Sequence, residues 1–142
     1  MSIQNWIKVL KKYKLKAFWF IYSSVFNGEL NSFEIYRKFR VCYFKNFDEF
    51  FYQFIDLCKE FTYKKFEKKY FEKEIKIFKS LFPFYSNNDI IFRIIRNNIL
   101  NKNEFEQTMN TMIRLKNTSF KKISKKLWMN NYHLNNLYKS GH

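Results

Sequence analysis

Apolar residues recur at three-to-four spacing through most of the chain, the period of helices with one buried face. Ile3, Trp6, Ile7 and Leu10 form such a stripe opposite Lys8, Lys11 and Lys12, which predicts an amphipathic helix over 3–15. A second helix is expected over 17–26, ending at Asn27-Gly28, where glycine adopts the left-handed cap at little cost. Asn31 with Glu34, and Asn46 with Glu49, have capping-box spacing and predict helices over 32–44 and 47–60. The first carries Phe33, Tyr36 and Phe39–Arg40, and the second Phe47, Phe50–Phe51, Phe54 and Leu57–Cys58. Residues 63–80 mix Lys and Glu with Phe66, Tyr70, Phe71, Ile75 and Phe78, a charged helix closed by Pro83, with pairs such as Glu72–Lys76. Asn87-Asn88-Asp89 opens an apolar segment over 90–100, and Asn101-Lys102-Asn103 leads into a helix over 104–116. There is no internal repeat and no flexible linker; the charge balance changes near residues 60–63.

Composition strengthens the helical reading. Two glycines and one proline in 142 residues are too few for the tight turns of an all-β chain, so the expected class is all-α. With 46% hydrophobic and 23% aromatic residues, Phe and Tyr must fill the core. The bias toward Phe, Tyr, Lys, Asn and Ile is also what A/T-rich codons produce, which weakens arguments from lysine count alone.

Charge points to polyanions. The net charge is +15, divided unevenly: residues 1–60 carry ten basic and six acidic side chains, residues 61–142 seventeen and six. Nucleic acid is the default partner of such an excess. Cys42 and Cys58, with His133 and His142, lack zinc spacing and read as reduced cytoplasmic thiols. The longest apolar run, Ala17 to Tyr22, falls far short of the roughly 20 residues of a membrane span, so no membrane partner is expected.

Catalytic chemistry finds little to stand on. There is no glycine-rich phosphate loop, no histidine paired with a nucleophile and no acidic cluster for Mg²⁺, so catalytic residues, cofactor, metal and small-molecule substrate are all expected to be absent. Glu104 with Glu106, or Asp48 with Glu49, point apart on a helix and read as solvated surface. Residues 118–137 read like a helix-turn-helix, with Ile123, Leu127, Met129, Leu134 and Leu137 as its core and Lys121, Lys122, Lys125 and Lys126 as candidates for nucleic-acid contact. Trp128 stands where that turn usually has glycine, and a plain helix–turn–helix packing unit fits the same residues. A solvated helix face is an equal reading of the four lysines.

In order along the chain, these pieces resemble the delta subunit of the bacterial DNA polymerase III clamp loader. Trp19 to Phe39, with its Gly28-Glu29-Leu30 turn and the helix after it, is similar to the family's lid pattern, and Asn5-Trp6-Ile7 to the "RWI" that opens the lid region. Glu74 to Leu81, then Asp89 to Asn98, look like the start of the collar, an "ALxILxxL" helix, a gap and an apolar helix with a basic residue. Leu127-Trp128-Met129-Asn130-Asn131 resembles the collar's "VWxNR". The chain departs from the family where Asn88-Asp89 replaces Glu-Pro and Tyr132 follows Asn131 in place of Arg; nothing in it corresponds to the AAA+-like domain with the clamp-binding element, or to the last collar helices.

The resemblance implies a lid helical bundle over 1–61 and a C-terminally truncated collar over 62–142. It implies a non-catalytic part of the DNA polymerase III holoenzyme in the cytoplasm, packed against other clamp-loader subunits that bind the ATP. The same features leave open a small basic helical DNA- or RNA-binding protein, a regulator or a ribosomal component.

Overall fold

Six helices begin in the same way: a side chain just outside the helix accepts a hydrogen bond from the backbone N–H three residues on. The pairs are Asn31–Glu34 (3.3 Å), Asn46–Glu49 (2.9 Å), Ser86–Asp89 (3.1 Å), Asn101–Glu104 (2.9 Å), Ser119–Lys122 (3.3 Å) and Asn130–His133 (3.1 Å). Each satisfies a donor that the helix itself leaves unpaired. In this computed structural model, which describes residues 3–62, 71–125 and 127–141, the architecture is all-helical, with no strand among the described residues. The helices are α1 (Ile3–Lys12), α2 (Ser32–Cys42), α3 (Phe47–Thr62), α4 (Glu72–Leu81), α5 (Asn87–Ile94), α6 (Lys102–Leu115), α7 (Phe120–Ser124) and α8 (Asn131–Lys139). A 3₁₀ turn occupies Ser23–Asn27, and a π turn, Ile95–Ile99, extends α5.

α3 is central: it packs against α2, α5 and α6, while α7 lies on α2 and α4 on α5. Its Phe50 and Phe54 are fully buried, beside Phe39 and Ile35 of α2, Ile90 and Ile95, and Met109 and Met112 of α6. The aromatic rings meet mostly edge to face, as their quadrupoles prefer: Phe54 with Phe92 at 5.0 Å and 73°, and Phe44 with Phe50 at 5.3 Å and 81°. Thr108, the buried polar residue in this region, donates its hydroxyl proton to the Glu104 carbonyl at 2.9 Å. Segments 1–61 and 62–142 therefore feed one buried cluster running from Ile35 to Ile123.

Several expectations shift in detail. The helix expected over 17–26 does not form: residues 15–22 have no regular structure, and only the 3₁₀ turn follows, capped by Gly28 at φ 82°. Consecutive Phe, Trp, Phe and Ile lose side-chain freedom in a helix, and a helix that is apolar all round needs burial on every side, whereas Phe18 and Phe20 here are open to solvent. α1 stops at Lys12, with Lys14 in the left-handed region at φ 54°. α5 is capped by Ser86, one residue before the asparagines expected to open it. Of the helix expected over 63–80, residues 63–70, with Phe66 and Tyr70, lie outside the described residues; the remainder is α4.

Candidate functional site

The segment 118–137 folds as two short helices, five-residue α7 and nine-residue α8, joined through Lys125–Asn130. Ile123 is buried beneath α7 and Leu137 beneath α8; Leu127 and Trp128 are partly buried against the main core. Lys121, Lys122 and Lys125 are exposed, and Lys126 lies outside the described residues. No carboxylate lies within ion-pair distance of these three lysines among the described residues. Lys38 reaches in from α2 and donates to the Lys125 carbonyl at 3.0 Å, adding a fourth cation nearby.

A second basic site was not singled out by the sequence. α2 and the α5–π segment bring Arg37, Arg40 and Arg96 around a cleft of about 180 Å³, floored by Phe50, Phe92 and Phe105. Arg40 and Arg96 are held by ring faces: their guanidinium carbons lie 5.6 and 5.7 Å from the Phe92 centroid, and Arg40 lies 5.5 Å from that of Phe47. Behind them Arg93 stacks on Tyr85 at 4.2 Å, and its buried Nε has no hydrogen-bond partner.

The arginines are short of counter-charge. Glu34 at the rim is 3.6 Å from Arg37, whereas no carboxylate comes within ion-pair distance of Arg40, Arg93 or Arg96 among the described residues. Burial lowers the Arg40 pKa most; Asp89 opposes that effect, and Arg93, Arg96 and Arg37 add to it. Arg96 is lowered by burial and by Arg93. Like charges gathered in a partly desolvated cleft repel one another, so the cluster carries an unfavourable energy that a bound anion would offset. Tyr36 closes one side, donating to Asn110 Oδ1 at 3.1 Å, and burial pushes its hydroxyl up to about 12, so it is a neutral donor at physiological pH.

Arg96 sits within the π turn, where Leu100 N–H donates to the Ile95 carbonyl at 2.9 Å across five residues. Such turns are rare and are found often at functional sites. Periodicity placed Arg40 on a mostly apolar stripe of its helix, but a π turn has no simple sequence signature, so the convergence with Arg96 could not be read from spacing.

Among the described residues no group of three His, Cys, Asp or Glu side chains stands close enough to hold a metal ion, and no helix is long and apolar enough to cross a membrane. Comparison with protein-family models, curated proteins and solved structures finds no match to the chain.

Proposed function

We propose that the chain is a non-catalytic, delta-like subunit of the DNA polymerase III clamp loader, acting in the cytoplasm and contributing to sliding-clamp loading through subunit packing. The observation that carries the reading is the bare apolar surface of the first thirty residues. No residue described before Ile35 is buried: Phe18 and Phe20 are 98% and 100% exposed, and Trp6, Val9, Tyr13 and Leu15 remain largely open. Large apolar side chains left open in this number within one segment mark a surface that a partner can cover. The ordered resemblance to lid and collar motifs gives those partners a class, the other loader subunits.

Sedimentation of the full chain mixed with purified clamp-loader subunits tests the reading. A heavier species is expected, weakened at least tenfold in Phe18→Ser/Phe20→Ser. A chain that sediments as a free monomer in that mixture overturns it.

A second reading, a small basic DNA- or RNA-binding protein, is favoured by the exposed and unpaired Lys121, Lys122 and Lys125. Changing Lys121, Lys122, Lys125 and Lys126 to Gln should then flatten the dependence of nucleic-acid affinity on salt. An unchanged slope removes that role.

A further inference from the structure

We propose that the cleft between α2 and the α5–π segment is a phosphate-binding site, in which Arg40 and Arg96 hold the oxyanion and Arg37 closes on it from the rim. The inference rests neither on subunit packing nor on the lysines of α7.

Three independent observations converge. First, Arg37, Arg40 and Arg96 line one cleft against a single carboxylate, Glu34, which lies 3.6 Å from Arg37. Second, Arg40 and Arg96 are partly desolvated and lie near other arginines that repel them, yet no ion pair to either is formed among the described residues. A protein seldom gathers such groups without an anion to bind, because the charges cost stability until one arrives. Third, the contacts that the structure gives the two guanidinium groups are largely with ring faces: the guanidinium carbons of Arg40 and Arg96 both lie over Phe92, at 5.6 and 5.7 Å from its centroid. Among the described residues the Arg40 side chain makes no hydrogen bond, and Arg96 uses Nε to donate to Asn97 Oδ1 at 2.8 Å, which leaves its terminal nitrogens without a hydrogen-bond partner there.

The ligand class follows from the donors. Guanidinium forks match tetrahedral phosphate oxygens through paired, charge-assisted hydrogen bonds, better than they match a monatomic anion. The cleft volume of about 180 Å³ accepts a phosphate group with part of what it is attached to. The phosphate can belong to a small phosphate compound or to one unit of a nucleic-acid backbone. Asp89 counts against the site, since it attracts Arg40, but its carboxylate accepts a hydrogen bond from Ser86 and shares the cap of α5.

The test uses the full chain with sodium phosphate at constant ionic strength, followed by amide chemical shifts, and separately a fluorescent twelve-residue oligothymidylate followed by anisotropy. Saturable phosphate-induced shifts at α2 and the π turn are expected, lost in Arg40→Gln/Arg96→Gln and retained when the four lysines at 121, 122, 125 and 126 become Gln. If the source is a nucleic acid, Arg40→Gln/Arg96→Gln also weakens the oligonucleotide at least tenfold, with a salt slope shallower by about one. If only the phosphate response depends on these arginines, the source is a small phosphate compound and the site stands. Arg40→Lys/Arg96→Lys keeps the charge but not the fork, so a several-fold loss in that variant settles the matter should the Gln variant not fold. Phosphate and oligonucleotide responses that both ignore the arginine substitutions overturn the proposal.

Discussion

Lys116, just after α6, lies 2.9 Å from Glu49 on the first turn of α3, and joins residues 67 positions apart. The other oxygen of Glu49 accepts the Lys45 backbone N–H at 2.8 Å, and the Lys116 ammonium also sits 4.4 Å above the Phe44 ring. The Lys45 hydrogen bond first, and Lys116 second, hold the Glu49 carboxyl below its usual range. A carboxylate whose native pKa is depressed adds stability that is complete above the unfolded value of about 4.3 and is lost as pH falls through the native value. Glu49→Gln should therefore lower the urea midpoint at pH 7 and flatten its decline below about pH 4.3. Parallel acid limbs for the two proteins would show that Glu49 is not a source of the decline.

The core and the amino-terminal segment should respond very differently to loss of a phenylalanine. Phe54 is fully buried, stacked at 5.8 Å on Phe50 and edge-on to Phe92, so Phe54→Ala should cost about 3–5 kcal/mol in equilibrium unfolding. Phe18→Ala removes a ring that touches solvent nearly all round and should stay within about 0.5 kcal/mol. Equal losses at both positions would mean that the aromatic segment at 17–22 is packed in solution.

That contrast also marks what was legible in the sequence. The capping asparagines at 31 and 46 announced two helix starts, because a side-chain acceptor three residues before a free N–H is a local device; Asn101 caps a third, α6, which begins at Lys102, two residues before the start expected at 104. The stripe of Phe39, Phe50 and Phe54 announced the core for the same reason, since a face is a matter of spacing. Phe18, Phe20 and Phe33 are equally aromatic yet exposed, because burial depends on which element lies opposite. The arginine cleft depends on two segments separated by more than fifty residues and on a π turn. Neither leaves a local pattern, whereas the four lysines near residue 123 are conspicuous only because they are contiguous.

The cysteines should differ in reactivity. Cys42 is exposed at the end of α2, whereas Cys58 is fully buried, and burial pushes its thiol up to about 12 despite a 3.9 Å contact with Thr108. Since the thiolate is the reacting species, a disulfide reagent at pH 8 should label Cys42 within minutes and Cys58 only on unfolding. Labelling of both thiols at one rate in native buffer would contradict the packing of α3 on α6.

Arg40 offers the last prediction, because its cost and its benefit fall in different states. Its stem and guanidinium lie against Phe47 and Phe92, contacts that methionine can largely reproduce through its length and its sulfur–aromatic affinity. What methionine does not reproduce is the partly desolvated charge and its repulsion by Arg93, Arg96 and Arg37. Replacing a cation without a close partner by an apolar group of similar length is neutral to stabilising, by up to about 1–2 kcal/mol. Arg40→Met should accordingly match or exceed the native chain in thermal stability. The gain should be largest at low ionic strength, where the remaining repulsion removed is least screened. A drop of more than about 1 kcal/mol would instead make Arg40 a structural cation, stabilised mainly by its rings and by Asp89.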